Sequence, residues 1–520
     1  MAGKLIFDVA FNSRTRVLSL SDRAGNVISS CEVPSKSNEL TLKATGNSGY
    51  VILTKYGTLS NTYEVNTGSG WTAYTFGTVI GLKRGERCRW RCSAHPTTQS
   101  IYDYVQFEMG GTIEASGNIN SMLSRSFEYL TSLSGYAYAF KRLFQGCTSL
   151  TRAPDLPATT LTASCYSSMF YGCTSLVNAP DLPATALASN CYNSMFNGCA
   201  SLVNAPVLPA TNLAIHCYNS MFNGCTSLTK APDLPATTLA ANCYSSMFNG
   251  CTSLTQAPNL PATNLEAMCY DSMFYGCTSL TRAPNLPATT LASYCYYSMF
   301  NGCTSLTQAP DLPATALASL CYNNMFYGCT SLVNAPSLPA TTLASYCYSN
   351  MFYGCTSLVN APALPATTLA EGCYSSLFNG CTALTQAQEL PATTLAENCY
   401  SYMFYGCTAL TQAPELPAIT LASSCYSRMF RGCSLLTEVY IAATTTATYA
   451  LSQWLYGVAA SGTVYADPSF TYLPTNSASG VPSGWVRAQL PGTRSIETEP
   501  EPVLRSAKKT KQRIDPYLIP

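Results

Sequence analysis

The residues best suited to chemistry in this 520-residue chain are its 26 cysteines and two histidines, so their spacing has to be read first. Twelve cysteines form one column that begins at Cys147, continues through Cys173, Cys199 and Cys225 and ends at Cys433, in steps of 26 residues. Eleven more, from Cys165 through Cys191 and Cys217 to Cys425, keep the same step, and only Cys31, Cys88 and Cys92 stand outside. Cys165 and Cys173 are eight residues apart, which is not a zinc-ligand spacing, and no histidine column accompanies them. Stacked neighbours could approach disulfide distance, but each would have two equivalent partners, and the column of eleven cannot pair fully. Both columns are therefore expected to be buried free thiols that fill small slots. Cys88, Cys92 and His95 form a Cys-x3-Cys-x2-His group. It reads as two cysteines on one face of a strand; a metal held with a fourth ligand from elsewhere is the alternative. No metal and no cofactor is expected.

His95 and His216 are the chain's histidines, too few for a histidine-based triad or metal centre. Asp155, Asp181, Asp233 and Asp311 recur as a column that decorates a surface and does not pair for acid–base work. No phosphate-cradling glycine loop is present. The expectation is a protein that is not an enzyme. With 27 Lys and Arg against 26 Asp and Glu the formal charge is +1, which argues against a nucleic-acid partner. Charged residues make up 10% of the chain where about 25% is ordinary. No apolar run approaches the ~20 residues of a bilayer span, and the start resembles no secretory signal, so neither membrane insertion nor signal-directed export is expected.

The cysteine count is a repeat count, and a repeat dictates the fold. In the unit from Pro287 to Leu312, a helical wheel places Leu291, Ala292, Cys295, Tyr296, Met299 and Phe300 on one half and Ser293, Tyr294, Tyr297 and Asn301 on the other. The spacing predicts a short helix, capped by Thr289 or Thr290 and ended by Gly302 in the left-handed conformation. Positions that vary between repeats fall on the outer half, so invariance within the chain is read as inward. From Leu306 to Leu312 the unit is too short for a second helix and holds Pro310, which predicts a brief strand. Strands stack about 4.8 Å apart and helices about 8 to 10 Å, so such an array must curve with its strands inside. One coil alone cannot bury its Leu, Met and Phe; its neighbours must cover them.

The run Cys-Thr-Ser-Leu-Thr-x-Ala-Pro-x-Leu-Pro followed by Cys-Tyr-x-x-Met-Phe-x-Gly-Cys resembles the BspA-type (Treponema pallidum-type) leucine-rich repeats of bacterial surface proteins and of gut Bacteroidales and their phages. The resemblance spans about residues 139 to 441 and implies an α/β repeat solenoid, a leucine-rich-repeat horseshoe, working in adhesion and recognition without catalysis. Family repeats are usually shorter than 26 residues and follow an export signal.

Residues 1–37 read as a β-hairpin anchoring segment, with Val17–Leu20 and Val27–Val33 around a turn, and 38–120 as an all-β, sandwich-like domain. Residues 121–146 read as the N-terminal cap, 147–441 as the solenoid, 442–489 as the C-terminal cap and 490–520 as an extended charged tail. The candidate ligand-binding column is Arg152, Asn178, Asn204, Lys230, Gln256, Arg282, Gln308, Asn334, Asn360, Gln386 and Gln412, one polar side chain per coil on the strand side. The outward Tyr171, Tyr275, Tyr327, Tyr353 and Tyr405 are further candidates for ligand contact, whereas the column from Tyr166 to Tyr426 reads as core with hydroxyls reaching the edge. Arg505, Lys508, Lys509, Lys511, Arg513 and Tyr517 are candidate docking residues of the tail. The functional expectation is a phage virion decoration or fibre protein that docks to other virion proteins through its N-terminal domain and tail, within a symmetric assembly, and shows the solenoid to a host surface protein or glycan. A bacterial cell-surface adhesin is the alternative.

Overall fold

The computed structural model describes residues 8–12, 17–21, 27–32, 38–93, 102–477 and 479–491. The candidate docking residues Arg505, Lys508, Lys509, Lys511, Arg513 and Tyr517, and His95, lie outside them. In the N-terminal segment β1 (Asp8–Asn12), β2 (Val17–Ser21) and β3 (Val27–Glu32) form an antiparallel sheet in chain order, with Leu18 opposite Cys31.

The following strands alternate inward and outward side chains, the signature of a sheet with one buried face. They are β4 (Leu40–Ala44), β5 (Ser48–Tyr56), β6 (Tyr63–Asn66), β7 (Thr72–Ala73), β8 (Ile80–Lys83), β9 (Arg87–Cys92), β10 (Tyr104–Gly110) and β11 (Ile113–Ser116). In β9, Cys88, Trp90 and Cys92 point inward and the three arginines do not. Trp90 meets Tyr74 and Phe107 edge-on at 4.8 and 5.2 Å, which locks the core between the two sheets. One sheet runs β10-β5-β8. The other runs β12-β11-β4-β9-β6-β7, where β12 (Leu150–Arg152) already belongs to the first repeat and pairs parallel to β11. The β-sandwich is thus continuous with the array.

The array contains no helix. Where the wheel predicts one, backbone donors alternate between two destinations. Ser298, Phe300 and Gly302 donate to Asn323, Met325 and Tyr327 of the next coil at 2.8, 2.9 and 2.7 Å, while Met299, Asn301 and Cys303 donate back three residues. An α-helix would send each of these N–H groups back four residues within its own coil. Every fourth residue is left-handed, as at Tyr294 (φ 57°), Ser298 (φ 49°) and Gly302 (φ 74°), which breaks any helical run. The result is a ribbon of turns hydrogen-bonded to its neighbours. Its faces match the wheel because a period of four places the same residues together over three turns as a period of 3.6 does. Leu291, Cys295, Tyr296, Met299 and Phe300 are all buried. Thr289 and Thr290 cap no helix; the Thr289 carbonyl accepts from Thr315 and Ala316 of the next coil.

The expected strand is equally reduced, to one bridging residue per coil, such as Gln308 to Asn334. Because both sides of each coil bond directly to the next, the 8 to 10 Å helix spacing that required a horseshoe has no counterpart here. Phe rings stack 5.5 to 5.8 Å apart along the array, from Phe144 on Phe170 to Phe404 on Phe430. Tyr rings stack at 5.6 to 6.0 Å from Tyr166 to Tyr426.

Both ends are closed by mimicry. Phe107 of β10 stacks on Phe144 at 5.3 Å and its carbonyl accepts from the Cys147 thiol at 3.0 Å, so a sandwich strand occupies the place of a preceding coil. Phe140 likewise stands in for the tyrosine and covers Tyr166 at 5.5 Å. At the far end β13 (Glu438–Ile441), β14 (Gly462–Ala466) and β15 (Trp485–Gln489) continue the bridge row as a parallel sheet. Trp454 closes the last coil and donates its indole N–H to the Gly480 carbonyl at 2.9 Å; Trp485 does the same to Ala459 at 2.7 Å.

Candidate recognition surface

The column from Arg152 to Gln412 is itself a bridge row, and a second row of bridges runs through Thr160, Ala186, Asn212 and Thr238. Consecutive members pair in parallel from Arg152 with Asn178 to Gln386 with Gln412, and every one is exposed. Backbone pairing fixes their spacing while the side chains stand in solvent. Amides bond along the row in two places, Asn204 Nδ2 to Asn178 Oδ1 at 3.0 Å and Asn360 Nδ2 to Asn334 Oδ1 at 3.5 Å. Beside it runs a second exposed row that the wheel and the invariance argument missed. Val177, Val203, Val333 and Val359 are 37 to 42% exposed, and threonines such as Thr229, Thr281 and Thr307 occupy the same position in other coils. A position restricted to Val and Thr therefore need not point inward: a bend at a single bridging residue leaves two successive side chains in solvent, where a regular strand would turn one of them in.

Asp181, Asp233 and Asp311 are exposed and Asp155 half-buried, as surface decoration requires. Among the outward tyrosines, Tyr171 and Tyr275 are 41 and 43% exposed, and Tyr327 stacks on Tyr353 at 4.5 Å. Tyr405 lies beside Arg431, 5.6 Å from its guanidinium. The inner tyrosine column is core, but most of its hydroxyls do not reach the edge: those of Tyr166, Tyr218, Tyr244, Tyr270, Tyr348, Tyr374, Tyr400 and Tyr426 are buried without a hydrogen-bond partner. The reason is the turn ribbon, which packs flat against its neighbours and covers the ring ends that a protruding helix would leave open.

The cysteines of both columns are buried free thiols, and Cys88 and Cys92 are buried as well. Those of the Cys147 column after the first donate to the carbonyl of the Phe 29 residues earlier, as Cys303 does to Phe274 at 3.1 Å and Cys433 to Phe404 at 3.0 Å. Burial pushes their ionisation up, to about 12 for Cys199 and Cys277, so at neutral pH they are protonated and unfit as nucleophiles or metal ligands. Cys88 is likewise pushed up to about 12 and accepts a hydrogen bond from the Trp90 indole at 3.3 Å. Cys88 and Cys92 share the buried face of β9, and among the described residues no group of three His, Cys, Asp or Glu is placed to hold a metal. None of the described helices is long and apolar enough to cross a membrane.

No curated protein and no solved structure matches the chain. The family model described as BspA type leucine rich repeat region (6 copies) matches over residues 124–255, 189–333, 241–377 and 348–454. These spans together cover more than half the chain and coincide with the coils built on the paired thiol and aromatic ladders, and on that ground the protein belongs to the BspA-type leucine-rich-repeat family.

Proposed function

We propose that this is a non-enzymatic display protein whose array recognises a surface protein or glycan through the bridge row from Arg152 to Gln412. One observation carries the reading: the buried side of each coil repeats almost without change while the exposed residue that each coil contributes to this row, held at fixed spacing by the backbone, varies among amides and a few cations. A rigid frame with one adjustable polar group per step suits extended, multivalent contact. Family membership supports adhesion and protein–protein interaction.

Within that role the protein serves as a decoration or fibre of a phage particle, docked to other virion proteins through its N-terminal domain and its tail, with Arg505, Lys508, Lys509, Lys511, Arg513 and Tyr517 as tail contacts. The unpaired buried thiols of the two columns support folding in a reducing compartment before release, which fits a particle assembled in the host cytoplasm better than a chain exported unfolded into oxidising surroundings. Detection of the protein by mass spectrometry in purified particles tests this, and its recovery from the envelope of uninfected cells would replace it with the cell-surface adhesin. Replacing Arg152, Lys230 and Arg282 together by alanine should weaken binding to host cells at least ten-fold; unchanged binding removes the row from consideration.

A further inference from the structure

Five basic residues lie between Cys147 and Cys433, and two of them stand together on the turn side near its C-terminal end. Arg428 and Arg431 break the repeat: the same positions five coils earlier hold Ser298 and Asn301. Their guanidinium groups converge on one acceptor. Arg428 Nε and Arg431 Nη1 both donate to Gln453 Oε1, at 3.1 and 2.5 Å. Tyrosine rings steady them. Arg428 lies over Tyr402, 5.2 Å from the ring centre, and donates to its hydroxyl at 2.5 Å, while Arg431 sits between Tyr405 and Tyr456 at 5.6 and 4.7 Å. Among the described residues no carboxylate forms an ion pair with either arginine.

Two like charges brought together repel, and a neutral amide does not offset that repulsion. With a glutamate at position 453 one of the two charges would be neutralised internally. With Gln453 the pair is held in place by one shared oxygen, and the remaining fork donors suit a second, charged acceptor. Tyr456, 52% exposed beside them, offers aromatic surface to the C–H face of a pyranose ring.

We infer that Arg428, Arg431 and Tyr456 form a binding site for the carboxylate of an acidic polysaccharide, with Gln453, Tyr402 and Tyr405 as positioning residues. The site lies in a different column from the bridge row and does not depend on it.

Calorimetric titration of the full chain with polygalacturonate, and with the same polymer methyl-esterified to remove its charge, tests this. The acid form should bind, and the ester at least ten-fold more weakly. The double variant Arg428→Ser/Arg431→Asn restores residues the fold already uses at these positions, so it should fold normally and lose binding at least ten-fold. Gln453→Glu supplies an internal carboxylate that offsets one of the two charges, and should weaken binding while raising the melting temperature. The variant lacking Arg152, Lys230 and Arg282 should bind polygalacturonate normally, which separates this site from the bridge row. Equal binding of acid and ester, or undiminished binding by the double variant, overturns the inference. Equally tight binding of inorganic phosphate alone overturns the assignment to an acidic sugar.

Discussion

The Cys303 thiol donates to the Phe274 carbonyl at 3.1 Å, and the same carbonyl accepts the backbone N–H of Cys277 at 3.1 Å. Both lone pairs of a buried carbonyl are thereby used, one within its own coil and one by the coil that follows. A residue at this position must be small, apolar in bulk and still able to donate, which is a description of cysteine. Replacing Cys303 by alanine should cost about 1 to 2 kcal/mol through the lost bond and a small cavity. Serine keeps a donor and should cost less than the bulkier, donor-free valine. Denaturant unfolding of the three variants gives the order, and valine matching serine would refute the donor role.

The turn ribbon makes a prediction that a helix reverses. Ser298 is buried with φ 49°, a conformation that disfavours any residue with a β-carbon. Ser298→Gly should leave stability unchanged or raise it by up to about 1 kcal/mol, whereas glycine inside a helix lowers it by about that much. Ser298→Val should be clearly destabilising, because a β-branched side chain tolerates the left-handed region worst. Thermal melts of the pair settle the sign.

Ionisation sets an upper pH limit. Burial raises the thiols of Cys199 and Cys277 from an ordinary 9.0 to about 12, and pushes the Tyr270 and Tyr296 hydroxyls well above their ordinary 10.0. Above pH 9 the unfolded chain loses protons that the folded chain retains, so stability is level below that value and falls as pH rises from 9 towards 12. Many groups acting together should make the fall steep. The melting temperature followed from pH 7 to 11 checks this, and a flat profile contradicts it. The same burial predicts that iodoacetamide at pH 8 leaves these thiols unmodified in the folded protein and labels them once it is denatured.

Register governs deletions. Removing residues 261–312, two whole units of 26, brings identical coils into contact and should leave a folded protein with little change in melting temperature. Removing 261–273, half a unit, sets bridge residues against the thiol column and should abolish cooperative unfolding. Loss of residues 38–110 exposes Phe144 and the first coil, and should cause aggregation.

How much of this is legible in one dimension can be seen in a single coil. The 26-residue step, the burial of Cys295, Tyr296, Met299 and Phe300, the free state of the thiols and the exposure of Gln308 all follow from pattern, because one-dimensional stacking forces every coil to repeat what its neighbours bury. The sandwich core around Trp90 was visible in the alternation of β9. Conformation between the buried points was not. Helix and turn ribbon place the same side chains inward over three turns, and the choice between them rests on whether the N–H groups of Ser298 and Phe300 find carbonyls inside their coil or in the next one. That acceptor exists only after stacking. The convergence of Arg428 and Arg431 on Gln453, about a full coil away in sequence, was hidden for the same reason: the spacing of a repeat shows which residues lie in one column, but which side chains of adjacent columns touch depends on how two coils settle against each other.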